Sequence, residues 1–121
     1  MATPNLVNIA TITPFTIAGA VTTSNVDIID VATNKTRKIN SIIISNVDGS
    51  NSPTVSISVS VDKGSNYYHL AKTVAVPADA TLVVIDKNSQ IYLDETDLLR
   101  IVGSANNDLE YVVSGEILDD E

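Results

Sequence analysis

Apolar and polar residues alternate without a slip through TVSISVSVD, Thr54 to Asp62. Val55, Ile57, Val59 and Val61 fall on one side, and Thr54, Ser56, Ser58, Ser60 and Asp62 on the other. A period of two marks a strand with one buried face. Similar runs recur on either side, separated by turn residues. DGSNSP at 48–53 and DKGSN at 62–66 bracket the run, and the second returns it into YYHLAKTVAV as a β-hairpin. PADA at 77–80 precedes TLVVID, DKNS at 86–89 precedes QIYL, DETD at 94–97 precedes LLRIVGSA, and NND at 106–108 precedes LEYVVSGEIL. The first third predicts strands at 6–12, 15–22, 26–31 and 38–46, with a break at Ile12-Thr13-Pro14 and a turn at 32–35. Helical periodicity is absent apart from a single possible turn at 78–80. The pattern predicts a single all-β domain over 1–121, an antiparallel, jelly-roll-like β-sandwich of about eight to ten strands.

Composition agrees. Val and Ile together number 29 against 8 Leu, and β-branched side chains favour the pleated sheet over the helix. A chain of 121 residues can bury a core without metal or disulfide bracing, and cysteine is absent. The opening MATPNLVN has neither the basic nor the apolar region of a signal peptide. Apolar runs of three or four residues fall far short of the roughly 20 that span a membrane.

The net charge of −8 is lopsided. Residues 1–87 balance, whereas 88–121 carry nine acidic side chains against Arg100. An acidic end repels phosphate backbones, and the basic residues cluster only at Lys35, Arg37 and Lys38, which argues against nucleic-acid binding.

Little of the sequence points to catalysis. His69 is the sole histidine and lies within a strand run, and no Gly-rich phosphate loop is present, so the chain is read as a non-enzyme without cofactors. Asp94, Glu95 and Asp97 form the one candidate calcium cluster, though without the glycine and distal glutamate of an EF-hand loop. The same carboxylates suit a turn stabilised by side-chain-to-backbone bonds. Of Tyr67 and Tyr68, adjacent in one strand, at most one can join a given core, which makes Tyr67 a candidate contact residue.

The polar side of the 54–62 strand is built from small hydroxyls, which are cheap to desolvate. Ser56, Ser58 and Ser60 are therefore interface candidates. Ile43 is another, because Ile42-Ile43-Ile44 places apolar groups on both faces of its strand. The residues themselves describe a rigid assembly module.

Several segments sharpen this. Asn46-Val47-Asp48-Gly49, the run from Ala71 to Ile85, IYLDETDLLR from Ile91 to Arg100, and LEYVVSGE from Leu109 to Glu116 resemble small virion structural proteins of tailed bacteriophages, especially marine cyanobacterial phages. The likeness covers about two thirds of the chain, and the turn 94–97 departs from it by lacking glycine. It implies a surface β-sandwich of the virion, a head decoration or cement protein that is often trimeric and partners the major capsid protein or other virion proteins. The alternatives are a neck, tail or fibre-associated module and a carbohydrate-binding receptor module. On this reading residues 1–13, free of charged side chains, are a candidate arm that adds a strand to a neighbouring sheet.

Overall fold

The computed structural model describes residues 9–119, which form nine strands and no helix. In chain order they are β1 (Thr11–Ala20), β2 (Val26–Asp30), β3 (Lys35–Asn46), β4 (Thr54–Ser60), β5 (Tyr68–Ala75), β6 (Thr81–Ile85), β7 (Ile91–Leu93), β8 (Leu98–Gly103) and β9 (Leu109–Asp119). Sheet A runs β1-β9-β3-β6, with β7 also on β3, and sheet B runs β2-β8-β4-β5. Every pairing is antiparallel. β6 pairs with Ile42–Ser45 of β3 and β7 with Arg37–Ile39, so the two are halves of one strand interrupted by the turn at 86–89. Counting them as one leaves four strands per sheet, in the interleaved order of a jelly roll.

β3 is the spine of sheet A, and alternation decides what it presents. Ile39, Ile42 and Ile44 point inward and are fully buried. They share one core with Val113 of β9, Val55 and Ile57 of β4, and Leu99 and Ile101 of β8. The spacing of Ile39 and Ile42 breaks the period of two, and the register slips between Ile39 and Ser41. The extra residue Asn40 is a β-bulge that restores the inward phase of the next isoleucines. Here the backbone of β3 crowds β9: a Cβ on Gly115 would stand 1.9 Å from the Lys38 carbonyl oxygen.

From residue 54 onward the strands fall where the turn residues place them. The first third differs. The break expected at Ile12-Thr13-Pro14 is absent, because β1 passes straight through Pro14, paired with Glu116. Val21 N–H donates to Leu109 O, continuing the β1–β9 register. By alternation the odd-numbered residues of β1 bond β9 and the even-numbered ones turn to the open edge. The N–H that Pro14 lacks would have pointed away from the sheet, which is where an edge strand tolerates proline. Of the candidate arm at 1–13, Thr11, Ile12 and Thr13 pair with β9 of their own sheet, and residues 1–8 lie outside the described residues. Val61, grouped with the core residues by pattern, is exposed, since β4 ends at Ser60 and the turn frees it from the alternation.

Gly115→Ala should therefore lower stability by about 3 kcal/mol, the upper range for overpacking, because the obstacle is backbone that cannot rotate away. Urea unfolding followed by circular dichroism checks this; a loss below about 1 kcal/mol would mean that β3 and β9 separate easily.

Candidate functional site

The polar side of β4 is covered by the chain itself. Ser58 lies opposite Arg100 of β8 on one side and His69 of β5 on the other, and Asp27 of β2 lies beyond Arg100. Arg100 Nε donates to Asp27 Oδ1 at 3.1 Å, and its guanidinium stacks 3.7 Å from the Tyr67 ring centroid. Tyr67 O–H donates to the same Asp27 oxygen at 3.0 Å. Burial, and next the bond to Asp27, push the Tyr67 hydroxyl above its usual pKa. A partly exposed ion pair and a cation–π stack are each worth only about 0.5–1 kcal/mol. Their larger effect is to lay two bulky side chains over sheet B.

Each serine then has an internal role. Ser58 and Ser60 are buried, so neither is available to a partner as the pattern suggested. Ser60 Oγ accepts from Gly64 N–H and donates to Asp62 Oδ1, both at 2.8 Å, organising the hairpin turn in which Lys63 and Gly64 take positive φ. Ser56 is half-buried, and its Oγ accepts the Thr73 N–H at 2.8 Å where β5 bulges. Tyr67 is likewise half-buried beneath Arg100, and the exposed tyrosine of the pair is Tyr68. His69 is exposed opposite Ser58, which is buried, and the nearby Asp27 is held by Arg100 and Tyr67.

The acidic turn between β7 and β8 is also a structural device. Asp94 Oδ1 accepts from Glu95 N–H and Asp97 Oδ2 from Asp94 N–H, both at 2.9 Å. Buried Glu95 reaches across to accept from Asn34 N–H at 2.8 Å, clamping the β2–β3 turn. One oxygen of each carboxylate thus accepts from a separate backbone amide, while Asp97 Oδ1 is buried without a hydrogen-bond partner. Among the described residues no group of three or more acidic, His or Cys side chains could hold a metal ion. Thr96 takes a positive φ of 68° in this turn, which has no glycine. Burial pushes the Asp97 carboxyl above its usual pKa.

Asn46-Val47-Asp48-Gly49 is structural too. Buried Asn46 donates to Asn51 O and Val76 O and accepts from Asp48 N–H, each at 2.8 Å, which ties the end of β3 to two loops. Asp48 in turn accepts from Ser50 N–H and Asn51 Nδ2. These bonds, that of Ser50 N–H foremost, hold its carboxyl down to about 2.

The outer face of sheet A is different. One cross-strand row reads Ala18 on β1, Val112 on β9, Ile43 on β3 and Val83 on β6. Val112 is 40% exposed and Val83 54%, with Ile43 half-buried between them. Ile12 and Tyr92 are also exposed, but the row Thr16–Ser114–Ser41 separates both from this one, Tyr92 lying in the row Pro14–Glu116–Lys38 and Ile12 one row further. Of the sequence-level candidates, Ile43 alone sits at the centre of an exposed apolar row. Val83-Val84-Ile85 carries the same two-faced signal as the isoleucine triplet; Val112 was missed, though Val112-Val113 carries it too.

Comparison with known proteins agrees with the architecture. No family model and no curated protein matches the chain. A protein of the disulfide-linked pili that form Bacillus endospore appendages is similar over 92% of this chain and 88% of its own, at 12% identity and a TM-score of 0.50. The Drosophila NLP core matches 84% of this chain and 96% of its own, at 13% identity and a TM-score of 0.49. A pentameric capsid protein from metagenomic phage sequences matches 86% of this chain and 60% of its own, at 16% identity and a TM-score of 0.40. At such identities the likeness concerns the fold alone.

Asp48 gives a pH test. Its folded pKa of about 2 lies below the ordinary value of 3.8, so its contribution to stability is present above the unfolded value and is lost as pH falls through the folded one. Wild type should therefore lose stability between about pH 4 and 2 more steeply than Asp48→Ala. Parallel acid titrations of the urea midpoint would overturn this reading of the turn if the two slopes coincide.

Proposed function

We propose that this chain is a non-enzymatic structural subunit of a virion, seated as a decoration or cement protein on the outer surface of a phage head. The observation that carries the assembly reading is the exposed apolar row through Val112, Ile43 and Val83. Fully burying a side chain of this size contributes ~1.5–3 kcal/mol, so contact across several of them favours association. The virion reading draws its support from the residue patterns shared with phage structural proteins. The jelly roll serves viral capsids and lectins among other roles, so it is compatible with this reading without selecting it.

On this proposal the work is mechanical. A rigid sandwich bridges neighbouring capsid subunits, and many weak contacts made at once slow its release. The major capsid protein is the proposed partner, and the resemblance implies three copies at each site. A neck or tail position would use the same surface. A carbohydrate-binding role is disfavoured by Tyr67, whose ring lies under Arg100 rather than open to a sugar.

Immunogold electron microscopy of the phage that encodes this chain should place label over the head. Label confined to neck or tail would move the subunit there, and unlabelled particles would contradict surface exposure. Val112→Lys should leave the circular dichroism spectrum unchanged while reducing incorporation by about tenfold, equivalent to about 1.4 kcal/mol of contact.

A further inference from the structure

Sheet edges expose unpaired N–H and C=O groups, and folded chains disarm them with bulges, charges, proline or brevity. The other edges of this sandwich follow the rule. β2 carries its bulge at Ile28 and the charges of Asp27 and Asp30. β5 carries two register shifts, with Thr73 at positive φ and Lys72 in the strand. β6 carries a bulge at Val84, and β7 has only three residues. β1 is the exception. It runs ten residues in unbroken register with β9, and no side chain before Asp27 is charged. Its one safeguard is Pro14, which leaves the stretch from Thr16 to Ala20 unprotected.

We propose that this stretch pairs with the same stretch of a second copy, antiparallel about a two-fold axis at Ala18, joining two A sheets into one. Thr16, Ala18 and Ala20 turn their N–H and C=O groups to the open edge. Centring the axis on Ala18 sets Thr16 against the partner's Ala20, Ala18 against the partner's Ala18, and Ala20 against the partner's Thr16. That makes three pairs, each exchanging two N–H···O bonds, and Pro14 falls outside them. On the inner face Ile17, half-buried in the isolated chain, comes opposite the partner's Gly19, over which the ring of the partner's Tyr111 already lies, so the two side chains would pack edge to edge.

Several features select a second copy as the occupant. The pairing is self-complementary, and it joins two uncharged strands in a protein of net charge −8, the nearest acidic groups, Glu110 and Glu116, standing one strand back on β9. The small residues also leave a depression of about 280 Å³ beside the edge, lined by Ala18, Gly19, Ala20, Glu110, Tyr111 and Val112. Finally, the apolar row ending at Ala18 runs on without interruption into the partner's Ala18 and the row beyond it. The pairing is independent of the virion reading, since a chain that labels no particle could still dimerise, and it stands in place of the trimer that the resemblance implies.

Light scattering of the full chain at micromolar concentration should give twice the 12.8 kDa of one copy. Ala18→Pro removes the central outward N–H, as Pro14 already does nearby, and should give the single mass with an unchanged circular dichroism spectrum. Should that variant not fold, cross-linking decides. In this cysteine-free chain Ala18→Cys places two thiols about 5.5 Å apart by their Cα atoms, within disulfide reach. Mild oxidation should link Ala18→Cys into dimers and leave Ala75→Cys, on the β5 edge, unlinked. A wild-type mass of one or three copies, a folded Ala18→Pro dimer, or equal linking of both cysteine variants would overturn the proposal.

Discussion

The contact between the inner faces of β3–β9 and β4–β8 is the constraint on which the rest of the molecule depends. Ile39, Ile42 and Ile44 on one side and Val55, Ile57, Leu99 and Ile101 on the other are almost wholly withdrawn from water. Each strand must hold its inward phase to fill this layer, and the irregularities are where that phase is corrected. The bulge at Asn40 re-phases β3 between Ile39 and Ile42, and Gly115 is small because the displaced Lys38 carbonyl needs its space. With aromatic residues at 4% and no tryptophan, the core relies on close packing of branched aliphatic side chains.

With the core fixed, the two outer faces follow opposite courses. Sheet B closes over itself: Tyr67 and Arg100 lie across the polar face, Asp27 holds both, and the serines beneath serve the bulge of β5 and the hairpin turn. Long charged side chains at 56, 58 and 60 would compete with Arg100 for that space, which accounts for the small hydroxyls. Sheet A closes over nothing. Its outer row is aliphatic, and its β1 edge is long, regular and uncharged. Burial by other chains is the physical use that remains for such a face and edge.

Much of the fold was legible because most strands are half-buried, and half-burial writes itself into sequence as a period of two. The strands after residue 54 were readable for that reason, with their boundaries marked by Gly, Pro, Asn and Asp. Pro14 misled, since its effect depends on which neighbour its missing N–H would have met, and that is a property of sheet order. The serine face misled in the same way. Alternation revealed that Ser58 and Ser60 point away from the core, but not that Arg100, distant in the chain, returns beside them. The outward position of Ile43 was legible because an isoleucine triplet on a strand cannot place all its side chains in one core. The acidic turn was read both ways, and in the structure each of its three carboxylates accepts from a backbone amide, which alternation alone could not show.

The central claim is that sheet A faces other chains while sheet B faces solvent. A cryo-electron microscopy reconstruction of the particle carrying this chain tests it most directly, at a resolution that separates the strands. The account predicts protein density against Ile43, Val83 and Val112, with the Arg100–Tyr67 side turned to solvent. A reconstruction with sheet B against its neighbours and the row through Ile43 bare to solvent would contradict it.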